Sequence, residues 1–206
     1  MTGARQFPSY RLCRDDESPV APRPRQAILL AKSENRRSEI LERLADHVLA
    51  DGLSASSLRA LAKAADTSDR MLLYYFKDKN EIITATLDAI GNRLEGILTQ
   101  RTSSQPLPLE QLRPRLLKIV QDDALWPYMR MWLEISAFAA QGDDFYRTVG
   151  KQLGEQFLDW GARQLESTSP KKRKSDAAAL LLTIEGVLLL KSVGMDSAIK
   201  DAMSRA

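Results

Sequence analysis

Apolar residues recur at helical spacing along most of the chain, and no segment alternates convincingly enough to predict a strand. Between Arg36 and Asp51, the residues Ile40, Leu41, Leu44, Ala45, Val48 and Leu49 make one helical face, and Gly52 supplies a C-terminal stop. Ser56 and Ser57 offer N-caps for a short helix over 57–64 that carries Leu58, Leu61 and Ala62. The turn Ala65-Asp66-Thr67 follows, and Thr67 or Ser68 caps a second short helix over 68–75. Asp78 caps a long helix from Lys79 to about Arg101, striped by Ile82, Ile83, Leu87, Ile90, Leu94, Ile97 and Leu98. The stretch TSSQPLP at 102–108 reads as a linker. Beyond it the pattern predicts helices over 109–122, 127–140, 143–166 and 175–192, and a short one near 195–204. Residues 167–174, with Pro170 and the run KKRK, read as a solvated loop. The fold class is therefore all-α, with no internal repeat.

Composition changes this picture little. No run of about 18 uncharged apolar residues occurs, so a membrane span is not expected. The N-terminus lacks the layout of a secretion signal, which predicts a cytoplasmic protein. A single cysteine, Cys13, excludes a disulfide framework and any Cys-cluster metal site. Residues 1 to about 33 hold four of the nine prolines, and Pro19, Pro22 and Pro24 argue against a regular helix there. This segment reads as a flexible arm or a start-site extension. Its Arg5, Arg11, Arg14, Arg23 and Arg25 suit minor-groove contact, but Asp15, Asp16 and Glu17 among them favour a solvated tail.

Residues 57–82, SLRALAKAADTSDRMLLYYFKDKNEI, have the layout of a helix-turn-helix DNA reader, whose second helix enters the major groove. Charge alone does not reveal it. Residues 36–79 carry eight basic and seven acidic side chains, a net of +1, against +3 for the whole chain. The placement of individual residues has to carry the reading. Arg70 suits bidentate pairing with guanine O6 and N7. Asp69 suits acceptance from cytosine N4, or simply favours the positive end of its helix. Met71 suits a thymine methyl or the small core, and Tyr75 divides between groove and core in the same way. Ser57 and Ser68 have hydroxyls to give to phosphates.

The segment from Arg36 to Ile82 resembles the N-terminal domain of the TetR (tetracycline-repressor) family. The resemblance is carried by Asp51-Gly52, by Ser56-Ser57-Leu58-Arg59-Ala60-Leu61-Ala62-Lys63-Ala64-Ala65, and by Ser68, Leu72, Tyr74, Phe76, Lys77, Lys79 and Glu81. It implies that Tyr74 and Lys79 contact phosphate. Lys79 also opens a helix whose N-terminal dipole adds to its charge. Asp66 stands where the family usually has glycine, Thr67 where it commonly has valine, and Tyr75 where histidine is frequent. The resemblance divides the chain into an arm over 1–33, a three-helix DNA-binding domain over 34–80, and a helical bundle over 81–206 for ligand binding and dimerisation. It implies a dimer built from the last two helices of each subunit. Two reader helices would then match a palindromic operator in double-stranded DNA.

In the bundle, Trp126, Met129, Trp132 and Phe138 are the residues expected to line a pocket for a small, apolar ligand, although such residues equally fill cores. Glu134 reads as a polar pocket group or a partner of Arg130. The segment 177–194 is too apolar for an exposed helix on a monomer. No enzyme is expected. The sole histidine, His47, suits a structural role, and no nucleophile–base set, metal-ligand cluster or glycine-rich phosphate loop occurs. No cofactor or metal is called for. The expected function is a ligand-released dimeric repressor; the alternatives are control by a protein partner, or activation instead of repression.

Overall fold

The computed structural model describes residues 24–167 and 169–204. The described residues from 37 onward form one compact unit, and the described part of the other, residues 24–36, is the opening of the first helix. Helix α1 runs Pro24–Asp51, twelve residues earlier than the hydrophobic pattern indicates. The physical reason is that proline breaks a helix interior but suits its first turn, where its missing N–H costs nothing. Pro24 therefore opens the helix within the expected arm. Pro19, Pro22 and the arm's Arg5, Arg11, Arg14 and Arg23 lie outside the described residues, as does Cys13. Ile40, Leu44, Ala45 and Val48 form the buried face of α1. Gly52 ends it at φ +87°, a left-handed conformation that favours glycine.

Two short helices follow, α2 (Leu58–Ala64) and α3 (Asp69–Tyr75), and then the long α4 (Lys79–Thr102). Seven residues cannot hold a helix alone in water, so α2 and α3 depend on packing and on their caps. Ser57 accepts from the Ala60 N–H at 3.2 Å, Ser68 from the Met71 N–H at 3.2 Å, and Asp78 from the Glu81 N–H at 2.9 Å. Leu61, Ala62, Leu72 and Phe76 are buried, joining Ile82, Ile83 and Leu87 of α4. One core thus continues from the reader into the rest of the unit through α4.

The bundle comprises α5 (Leu109–Val120), α6 (Trp126–Ala140), α7 (Asp144–Gln164), α8 (Pro170–Ser192) and the short α9 (Asp196–Met203). Asp122 and Asp143 cap the turns that lead into α6 and α7. The linker is fixed to the end of α7: Leu107 N–H donates to Gln164 O at 2.8 Å, and Glu166 N–H donates to Leu107 O at 2.9 Å. This isolated bridge is the only strand-like pairing among the described residues. The KKRK run is not a loop. Pro170 takes the first turn of α8 and Ser169 caps it, so residues 171–174 are helical, with Lys172 paired to Asp176 at 2.5 Å.

Candidate nucleic-acid interface and ligand cavity

The turn between α2 and α3 is closed by two backbone hydrogen bonds, Asp66 N–H to Lys63 O at 3.1 Å and Thr67 N–H to Ala62 O at 3.0 Å. This is a Schellman closure, which needs a left-handed residue after the helix, and Asp66 supplies it at φ 51°. Ala62 and Ala65 are buried at the crossing, where larger side chains would hold the two helices apart.

With Leu72 and Phe76 directed inward, α3 presents Asp69, Arg70, Met71, Leu73 and Tyr74 outward. Tyr74 is 74% exposed, an unusual state for a large aromatic side chain. Tyr75 is half-buried against the core, its ring edge-on to Tyr74 with centroids 5.2 Å apart. Ser57 and Ser68 are exposed at the N-termini of their helices, and their capping role uses the oxygen and leaves the hydroxyl proton. Lys79 is exposed at the first residue of α4. A brace orients that end: the Arg37 guanidinium lies 4.6 Å over the Phe76 ring and 3.7 Å from Glu81, which also accepts from the Lys77 N–H at 2.8 Å. Leu73 was not singled out by sequence, because an apolar residue beside Leu72 reads as core. Its outward position appears only once Leu72 is seen to fill that core.

Inside the bundle, α4, α5, α6, α7 and α8 line a cavity of about 80 Å³. Met129 and Trp132 line it; Trp126 and Phe138 do not. Trp126 packs under the Lys191 ammonium at 5.2 Å, and Phe138 stacks on Tyr146 with centroids 4.7 Å apart. Helical spacing gave these four aromatic and sulfur side chains equal claim, and the direction each faces decides between them. Tyr128, Phe157 and Trp160 complete the aromatic wall. Glycine keeps the wall close on one side: a Cβ on Gly91 would stand 3.3 Å from Leu153. Glu185 is the one charged residue lining the cavity, and its carboxylate accepts from the Trp132 indole N–H at 2.8 Å. Burial pushes the Glu185 carboxyl above the usual carboxylate range, against the lesser opposing effect of that hydrogen bond. Its sequence signal was a lone carboxylate in the apolar run of 177–194.

Glu134 faces elsewhere. It accepts from the Leu53 N–H at 2.7 Å and from the Ser54 N–H at 3.3 Å, just past the end of α1. One turn earlier on α6, Arg130 donates to the carbonyls of Leu49 and Ala50, each at 2.9 Å. The cationic side chain thus meets the negative end of α1 and the carboxylate meets free N–H groups beyond it, a favourable arrangement at both points. His47 pairs through Nδ1 with Asp51 at 2.8 Å on the same helix, in a structural position.

The family model for "Bacterial regulatory proteins, tetR family" matches residues 42–86, from the second half of α1 into α4. The chain is similar to the HTH-type transcriptional regulator BetI of Pseudomonas fluorescens strain Pf-5, at 29% identity over 118 residues. That match takes in 54% of this chain and 58% of the relative. Among solved structures, reduced NemR of E. coli superposes with a TM-score of 0.58 at 16% identity, over 82% of this chain and 95% of that one. A transcriptional regulator of Rhodococcus sp. Rha1 gives 0.59 at 18% identity, over 78% and 85%. The multidrug binding protein EbrR, complexed with imidazole, gives 0.57 at 18% identity, over 83% and 89%. At such identities the likeness is one of fold.

Proposed function

We propose that this chain is a member of the tetR family of bacterial regulatory proteins, acting as a homodimeric transcriptional repressor released from a palindromic operator by a small ligand. The observation that carries the DNA reading is the outward face of α3, held by Leu72 and Phe76 and flanked by the exposed N-terminus of α4. In this reading Arg70 pairs with guanine, and Asp69 accepts from cytosine or steadies the helix start. Met71 and Leu73 meet thymine methyls. Tyr74, Tyr75, Lys79, Ser57 and Ser68 set the register through the phosphates.

The homodimer is supported by α8 and the residue that ends it, where Leu182, Leu189 and Val193 are 75%, 59% and 63% exposed at helical spacing on one side. A second copy of the same stripe covers them. Ligand control is supported by the cavity, which favours a small molecule over a protein effector. Two elements join cavity to reader. Helix α4 runs from Lys79 to the cavity-lining Ile90, Gly91 and Leu94, and α6 carries Trp132 on the cavity side and Arg130 and Glu134 at the end of α1. The protein acts in the cytoplasm, by binding and not by catalysis. Footprinting on the DNA upstream of its own gene tests the reading: a protected, two-fold symmetric site is expected, and the absence of protection at any salt that keeps the protein folded would overturn it.

A further inference from the structure

We infer that the cavity takes a small organic cation, an ammonium group bearing alkyl or aryl substituents, with its charge set against the Glu185 carboxylate. This rests on the reading of the cavity as the effector site, and it names the chemical class admitted there. Every other lining residue is uncharged, and most are apolar. A carboxylate has room for several hydrogen bonds, yet among the described residues Glu185 takes one, from Trp132. The carboxylate is half-buried beside an apolar wall, with capacity left for a further partner, and a cation arriving in the cavity supplies one. Tying α8 to α6 does not call for that charge, since a glutamine oxygen would accept from the indole equally well. Partial burial also raises the affinity of the Glu185 carboxyl for its proton.

The remaining walls select the same class. Trp132, Trp160, Phe157 and Tyr128 line the cavity with aromatic rings, a side-chain type that attracts quaternary and alkylated ammonium groups. Neither indole has a donor left for an anion or a carbonyl-bearing ligand, because Trp132 gives its N–H to Glu185 and Trp160 gives its own to Thr99 at 3.0 Å. No Lys or Arg lines the cavity. Its volume of about 80 Å³ suits a compact group and not an extended chain.

The test is binding to the full chain by tryptophan fluorescence and calorimetry at matched chloride. Tetramethylammonium and benzyltrimethylammonium are compared with the neutral tert-butanol and benzyl alcohol. At least one cation should bind about tenfold or more tightly than its neutral counterpart. E185Q should abolish that preference and E185D, which keeps the charge, should retain it, with melting curves confirming that both are folded. Equal binding of neutral and charged probes, binding of neither cation, or cation binding indifferent to E185Q would each overturn the inference. Adding the probes to the protein–DNA complex separates this from the broader reading. A cation that binds through Glu185 without releasing DNA upholds the ligand class and removes ligand-released repression. A neutral compound that releases DNA when the cations do not upholds the repressor and removes the cation.

Discussion

The Glu134 carboxylate accepts a 2.7 Å hydrogen bond from the backbone N–H of Leu53, joining the middle of α6 to the chain just beyond α1. The contact is closely fitted: a Cβ on Gly52 would lie 2.6 Å from Glu134 Oε1, and Gly52 itself is at φ +87°. Helix α6 therefore touches the reader's first helix at one turn and the cavity at the next, through Trp132. Removing the carboxylate as Glu134→Ala leaves backbone donors unmatched and should cost roughly 1–3 kcal/mol in chemical denaturation. Gly52→Ala should cost more than about 1 kcal/mol on backbone grounds alone. If α6 transmits ligand binding, Glu134→Ala should also bring the ratio of DNA affinities with and without ligand closer to unity, measured by anisotropy. An unchanged ratio would assign transmission to α4 alone.

Asp66 occupies its left-handed turn at φ 51° with a side chain that pairs with Arg43 at 3.5 Å, exposed on both sides. Such a surface pair contributes about 1 kcal/mol or less. Asp66→Gly should therefore leave the melting temperature unchanged or slightly raised, whereas Asp66→Ala should lower stability by about 1 kcal/mol, because alanine resists this conformation more than aspartate does.

The Glu185 carboxyl is held above its ordinary value by burial, so the folded protein favours its protonated form. The stability associated with that proton is present in acid and is lost as pH rises through the raised folded-state value. Glu185→Gln removes this titration. Its melting temperature relative to the native chain should rise between about pH 4 and about pH 7, and a flat difference across that range would contradict the burial argument.

A charge in the exposed stripe of α8 should separate the subunits. Leu182→Glu combined with Leu189→Glu should give a monomer by sedimentation, with weakened binding to a two-fold operator. These side chains are exposed in the single chain, so its melting behaviour at low concentration should change little.

The reader was legible in the sequence because its signals are local. Ser57, Ser68 and Asp78 as caps, Gly52 as a stop, and Asp66 in a turn each follow from one residue's own chemistry. The starts of α1 and α8 were not, since Pro24 and Pro170 serve as breakers or as first-turn residues depending on what precedes them. The cavity was harder still. Met129 and Trp132 face it while Trp126 and Phe138 on the same helix do not, a distinction set by neighbouring helices and not by spacing. Glu185 was visible only as an interruption in an apolar run, and the contact from Glu134 to Leu53 spans parts of the chain that no local pattern connects.

The central claim, that α3 reads DNA through its outward face, is tested most directly by fluorescence anisotropy on labelled DNA from the footprinted site, at one fixed salt concentration. Arg70→Ala should weaken binding by about 5- to 150-fold, the equivalent of a lost bidentate guanine contact of about 1–3 kcal/mol, and should relax the preference for one base pair. Tyr74→Phe should weaken it less and without changing sequence preference. Native affinity and preference in the Arg70→Ala protein would contradict the account.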